Sequence, residues 1–274
     1  MSPDEIPPPP RKRVIMIGVG GATCSGKTTL AKYLKGILPR SLLVHQDDFA
    51  PPRNQILIHP IYKMQDWDAP AGAIDWPRLR QGLQYIKDHG RMPEGHKSHD
   101  HLNVQELVGV DAGVVERWRE RFAGTDVGAW HGEGQAQGGE IQWVLVDGFL
   151  MYWDQAVIDL LDVRLFLRVP RSELARRRHA RHGYHTAEQF DYAEGTLWRD
   201  PPYYFEQIVW PAYCEAHAAL FVDGDVEGRL KEGEGVKVEG LVELDGGSNP
   251  GDMLEKACPK IWEVLTRQRE IVLD

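Results

Sequence analysis

The run Val14-Ile-Met-Ile-Gly-Val19 is short, apolar and free of charge, and it ends in glycines. A strand buried on both faces and feeding a loop has this pattern. Beyond the loop, Leu30, Leu34, Ile37 and Leu38 recur at helical spacing until Pro39, where a helix must stop. Ser41 to His45 predicts a second short strand, and Pro51, Pro52 and Pro60 make the next stretch irregular. Trp76 to His89 predicts a helix with Pro77 in its first turn, where the missing N–H would have had no partner anyway.

From Gly90 to Glu140 the periodicity breaks, apart from a short helix predicted near Val114 to Phe122, and glycine, histidine and charge are frequent. This stretch reads as an insertion, mostly loop. Apolar strands return at Ile141 to Val146 and Val163 to Val169, and Pro170 opens a basic helix from Arg171 to about His182. A further helix is expected from about Tyr203 to Ala219, and Leu220 to Val222 reads as a fifth strand. Gly224 to Gly251 is acidic and glycine-rich, with alternation at Val236 and Val238 that suits a small hairpin, and a last helix spans Asp252 to about Gln268. Short apolar strands interleaved with helices predict an α/β fold, a parallel sheet of about five strands covered on both faces. Residues 14–274 thus read as one domain with insertions at about 90–140 and 225–251, after a proline-rich tail over 1–13.

Composition narrows the function classes. The formal net charge is −9 over 274 residues, which argues against a nucleic-acid partner. The cysteines Cys24, Cys214 and Cys258 lie far apart and match no metal-ligand spacing, so they read as reduced thiols. No apolar run is long enough to predict a membrane-spanning helix. The first residues carry no apolar segment of a secretory signal, so the expected location is the cytoplasm, with the nucleus as the alternative left open by Arg11-Lys-Arg13.

The sharpest motif is Gly21-Ala22-Thr23-Cys24-Ser25-Gly26-Lys27-Thr28, which satisfies G-x-x-x-x-G-K-[ST] and sits between a predicted strand and a predicted helix, with Thr29 next. Glycines let successive backbone N–H groups turn inward onto phosphates, and the following helix adds its positive end. Lys27 would reach the β- and γ-phosphates and Thr28 would ligate Mg²⁺, so ATP and Mg²⁺ are the expected co-substrate and cofactor. A kinase of small molecules also needs a base and cations on the transferred phosphoryl. Asp47 or Asp48, after the second strand, supplies the base, at the edge where open α/β sheets bind ligands. Asp147 closes an apolar strand in the position of a metal-holding acid. Arg171, Arg176, Arg177, Arg178 and Arg181 crowd one helix, more arginine than a merely solvated face would carry, and predict a phosphate-clamping lid. Trp67-Asp68 suits stacking on a flat ring and bonding to sugar hydroxyls, or equally a core Trp with a capping Asp.

These residues resemble the nicotinamide riboside kinases, a branch of the uridine-kinase-like P-loop kinases. The resemblance runs through Gly18 to Leu30, His45-Gln-Asp-Asp-Phe49, Trp67-Asp68, Val144 to Leu150, Pro170 to Arg181, Asp200-Pro-Pro-Tyr-Tyr-Phe205, Val209-Trp-Pro211 and Phe221 to Gly224. It implies transfer of phosphate from MgATP to the riboside 5′-hydroxyl, with nicotinic acid riboside as a second acceptor. Asp47 then matches the general base, also near the metal, with Asp48 and Phe49 beside it. Asp68 and Arg178 match the grip on the ribose, and Trp67 the aromatic beside the nicotinamide ring, whose positive charge an indole face attracts. Arg177 and Arg181 match lid residues on ATP, and Asp225 to Glu227 lie where the family chain passes the adenine. Asp147 stands where the family often has Glu, one methylene longer. The second aromatic of the ring sandwich falls to Tyr184, with Trp198 and Tyr204 as alternatives. His89, His96, His99 and His101 in the insertion read as a solvated loop rather than a metal site. Competing readings are a uridine/cytidine or pantothenate kinase, and a regulatory protein that binds nucleotide without catalysis. Trp67 weighs against the first and the complete set Lys27, Thr28, Asp47 and Asp147 against the second.

Overall fold

The computed structural model describes residues 13–98, 100, 108–124, 141–181, 183–186 and 196–270, with the side chains of 184–186, 196–197 and 267–270 left aside. Its centre is a five-stranded, wholly parallel sheet of β1 (Arg13–Gly21), β2 (Ser41–His45), β3 (Ile141–Gly148), β4 (Val163–Arg168) and β7 (Leu241–Asp245), in the order β2-β3-β1-β4-β7. A lid hairpin of β5 (Tyr184–Thr186) and β6 (Thr196–Trp198) forms a separate antiparallel pair.

Each central strand buries both faces, which is why its sequence is a continuous apolar run rather than an alternation. On β1, Ile15, Ile17 and Val19 enter one core with α1 (Lys27–Ile37), α3 (Ala112–Ala123) and α7 (Pro250–Glu270). Met16 enters the opposite core with α2 (Trp76–His89) and α4 (Gln155–Leu160). The result is an open parallel α/β sheet covered by helices on both faces. Its strand carboxyl ends line up: Val19 pairs with Asp147, and His45 pairs with the same Asp147 from the other side.

Three sequence expectations need correction. Leu220 to Val222 is not a strand but two short 3-10 turns meeting at Phe221, with Asp223 in the left-handed region at φ 55°. Phe221 is apolar because its ring lies fully buried on Phe166, not because its backbone pairs in the sheet. The fifth strand is β7, which lies where a surface hairpin was expected; Arg164 to Arg168 pair with Leu241 to Asp245. The helix expected near Val114 to Phe122 is present as α3, with Trp118 and Phe122 buried in the core that also holds Trp143 and Trp262. The basic helix, α5 (Arg171–His179), ends before His182, and the chain turns at Gly183 with φ 126°. The last turn before α6 (Trp210–His217) is a π-turn over Phe205–Val209.

Candidate active site

The loop from Gly21 to Thr28 leaves β1 and opens α1, as its spacing demands. Gly21 sits at φ 140°, and a Cβ there would stand 2.4 Å from the carbonyl oxygen of Leu167, so no side chain is tolerated. Gly26 caps α1 at φ 95°. Cys24 takes a left-handed φ of 58° without being glycine, a conformation that the loop must impose. Ser25 is fully buried and Lys27 nearly so, its Nζ donating to the carbonyl oxygen of Ala22 at 2.7 Å. Burial pulls the Lys27 ammonium below its ordinary range, and Asp147 and Asp47 oppose that pull.

Across the loop, Thr28 Oγ1 donates to Asp147 Oδ2 at 2.5 Å. His45 Nδ1 lies 3.2 Å from the same oxygen. Burial alone would raise the Asp147 carboxyl, but the His45 bond and charge, Lys27 and the Thr28 bond outweigh it and hold the group below the usual carboxylate range. Burial alone would lower the His45 imidazole, but the Asp147 bond together with the charges of Asp147, Asp100 and Asp48 outweighs it and lifts the group to about 9.

The 3-10 turn Gln46–Phe49 decides between the two neighbouring acids. Asp47 is exposed at the outer side of this turn. Desolvation by the surrounding protein and then the Asp147 charge push its carboxyl upward, against the pull of Lys27 and His45. Asp48 points inward: it is buried, its Oδ2 lies 3.6 Å from His96 Nε2, and its carbonyl accepts from Arg78. Phe49 is also core, with Arg78 over its ring at 5.1 Å and His96 at 5.3 Å on centroids. Asp48 and Phe49 thus pack inward while Asp47 is exposed, because a tight turn fans consecutive side chains apart. His96 is likewise packed rather than solvated, while His99 and His101 lie outside the described residues.

The arginines of α5 separate by face. Arg176 is exposed and pairs with Glu173. Arg177 Nη1 donates to the carbonyls of Cys24 (3.3 Å) and Gly246 (3.1 Å), tying the lid helix to the loop. Arg178 is buried and donates to Asp200 through Nε (2.6 Å) and Nη2 (3.1 Å) and to Thr23 Oγ1 through Nη1 (3.1 Å), with Asp68 Oδ1 3.6 Å away. Burial raises the Asp68 carboxyl to about 6 although Arg178 opposes it. Arg181 lines the open cleft under the lid with Arg178, Arg199 and Asp200, and its charge acts on Lys27.

The aromatic wall is two-sided. Trp67 faces Trp198, their ring centroids 5.9 Å apart at 58°, and Trp198 Nε1 donates to Asp200 Oδ1 at 2.9 Å. Tyr204 stands behind both: its hydroxyl donates to the Gln65 carbonyl (2.9 Å) and accepts from the Trp67 amide (3.1 Å). Tyr184 pairs backbone to backbone with Trp198, and its side chain lies outside the described residues. Asp200 is the member that the sequence left unassigned; its signal was an acid preceding Pro-Pro two residues after a tryptophan.

Asp225 and Glu227 are tied to the start of α5. Glu227 Oε1 accepts from the Arg171 amide at the start of α5, and Asp225 Oδ1 from the Glu227 amide. The turn after β7 abuts the phosphate loop. A Cβ on Gly246 would lie 2.6 Å from the Ser25 carbonyl oxygen, so only glycine permits that approach. No helix among the described residues is long and apolar enough to cross a membrane.

No protein-family model matches the chain. Individual relatives do. The chain is 36% identical over 221 residues to the nicotinamide riboside kinase of Schizosaccharomyces pombe, covering 80% of this chain and 86% of that protein. It is 34% identical to the same enzyme of Eremothecium gossypii (79% of this chain, 81% of that one). Against that of Saccharomyces cerevisiae the identity is 33%, with 80% and 84% covered.

Proposed function

Because this chain belongs to the nicotinamide riboside kinase family, we propose that Asp47 is the base of a phosphoryl transfer from ATP to the 5′-hydroxyl of nicotinamide riboside. The products are ADP and the mononucleotide, and the reaction is a step of NAD salvage. The hydroxyl oxygen forms a bond to the γ-phosphorus, the bond from that phosphorus to the β–γ bridging oxygen breaks, and the hydroxyl proton passes to Asp47. The observation that carries this reading is Arg178. One buried guanidinium touches Thr23 of the phosphate loop and lies beside Asp68, so a single side chain spans the nucleotide side and the riboside side.

Positioning and charge do nearly all the work in such a transfer. Backbone amides of Gly21 to Thr28 and the Lys27 ammonium cradle the phosphates. Arg177 and Arg181 close over them from the lid, and the adenine lies toward Asp225 to Glu227. Thr28 and Asp147 present hard oxygen donors side by side, and Asp47 is coupled to the same point; this set fits magnesium, which binds through one or two carboxylates, a hydroxyl and substrate phosphates. When bound there, the ion neutralises phosphate charge and orients the γ-phosphoryl. Asp68 and Arg178 hold the ribose hydroxyls. Trp67, backed by Trp198, offers an indole face to the pyridinium ring, whose charge such a face attracts by about 0.5–2 kcal/mol. The protein is read as cytoplasmic, with the nucleus as the alternative.

The test is ADP release with MgATP and a panel of nicotinamide riboside, nicotinic acid riboside, uridine, cytidine and pantothenate. Turnover restricted to the pyridine ribosides supports the assignment. Turnover mainly on uridine or cytidine would keep the phosphate machinery and overturn the role given to the two tryptophans.

A further inference from the structure

The stretch after α2 contributes a contact to the phosphate site that its sequence did not suggest. Asp100 pairs with Lys32 Nζ at 2.8 Å, and its Oδ2 lies 3.8 Å from His45 Nε2. Lys32 follows Thr28 by one helical turn on α1, so both project from the same face. His45 carries the contact onward through Nδ1, 3.2 Å from Asp147 Oδ2, and that oxygen also accepts from Thr28. The chain of contacts closes on itself: Thr28, Asp147, His45, Asp100, Lys32 and back along α1. His45 and Asp147 are register partners on adjacent strands, so the backbone fixes their spacing. The histidine and the carboxylate are 13% and 5% exposed, which shields the bond between them from solvent competition.

We propose that His45, flanked by Asp100, is a positioning residue for the Asp147 carboxylate at the metal-binding corner. The proposal rests on the reading of Asp147 as a metal-holding acid. Outer groups that orient a ligand carboxylate act on metal affinity without touching the metal. Two donors on one oxygen, Thr28 from the helix and His45 from the neighbouring strand, remove the rotational freedom that an aspartate at a strand end otherwise has.

The experiment is calorimetric titration of ADP into the full chain at a series of MgCl₂ concentrations and in EDTA. It is run for the wild type and for His45→Ala, His45→Asn, Asp100→Asn, Asp147→Asn and the His45→Asn/Asp100→Asn double variant. His45→Ala is expected to raise the magnesium concentration for half-maximal enhancement of ADP binding about 10- to 100-fold, as loss of an outer-shell partner does elsewhere. Its ADP affinity in EDTA should stay at the wild-type value. His45→Asn, whose amide nitrogen replaces Nδ1, should restore most of the loss. Asp100→Asn should shift in the same direction by less, and should add nothing in the His45→Asn background, since the two act in series. If Asp147→Asn shifts the magnesium dependence while His45→Ala and Asp100→Asn do not, the positioning role is overturned and the Asp147 reading stands. If Asp147→Asn itself has no effect, that reading fails and the proposal falls with it. Should His45→Ala not fold, the His45→Asn and Asp100→Asn comparisons decide the matter alone.

Discussion

Arg178 and Asp200 meet edge to edge, Nε on Oδ2 at 2.6 Å and Nη2 on Oδ1 at 3.1 Å, across the open base of the lid. Arg178 is only 3% exposed, so the pair is a fixed strut rather than a surface contact. Removing one partner leaves a buried charge uncompensated, at a cost of about 3 kcal/mol with Asp68 still nearby. Asp200→Asn is therefore expected to lower stability by that order in urea unfolding. It should also reduce kcat/KM for the riboside by about 100-fold, because Arg178 is no longer aimed. An unchanged kcat/KM would remove Asp200 from the site.

Asp47 and Asp48 are adjacent in sequence and opposite in fate. Asp47→Asn should reduce kcat by about 10²- to 10⁴-fold while MgATP still binds, the span expected for loss of a general base. Asp48→Asn should leave kcat near wild type and lower stability by about 1–2 kcal/mol through its buried surroundings of His96 and Arg78. Steady-state kinetics and urea unfolding on the two variants separate the roles, and reversed results would exchange them.

The indole pair predicts a charge preference. Trp198→Ala should raise KM for nicotinamide riboside by about 2- to 30-fold, the span of a cation–π contact. The uncharged dihydronicotinamide riboside should lose much less. Equal losses on both substrates would make Trp198 a support for Asp200 rather than a ring partner.

Stability should carry an acid limb from His217. This residue is 1% exposed, packed between Tyr213 and Phe166, and burial depresses its imidazole to about 4. An unfolded histidine takes its proton near 6.5. The unfolded state therefore binds more protons between those values, and stability present above pH 6.5 is lost as pH falls toward 4. The loss amounts to about 3 kcal/mol at 1.36 kcal/mol per pKa unit. His217→Gln should flatten that part of the stability–pH curve in urea unfolding; a curve of the same slope would assign the limb to other groups.

The phosphate loop, the four apolar strands and the lid helix were legible because each is specified by neighbours in sequence. What escaped was specified at a distance. The fifth strand, Leu241-Val-Glu-Leu-Asp245, is an edge strand with only Leu244 fully buried, so its pattern is indistinguishable from a surface hairpin's. Leu220 to Val222 read as a strand because burial of Phe221 and strand pairing leave the same apolar mark. At the site, sequence placed Asp47 beside Asp48 but not the 3-10 turn that exposes one and buries the other. The bond between Arg178 and Asp200 crosses the whole lid hairpin, and that between His45 and Asp147 spans 102 residues. Neither leaves a periodic trace.

The contact of Gly246 with Ser25 joins the first loop of the chain to one of its last turns. Such a long loop must close before the loop's outer wall exists, and non-local closure of this kind slows folding. During synthesis the phosphate loop emerges early, yet the turn that backs it and the edge strand leading to it arrive some 220 residues later, at an elongation rate of about 5–20 residues per second. The nascent protein therefore passes through an interval in which the loop is made and its support is not. Nucleotide captured during that interval would act as a folding ligand before it acts as a substrate.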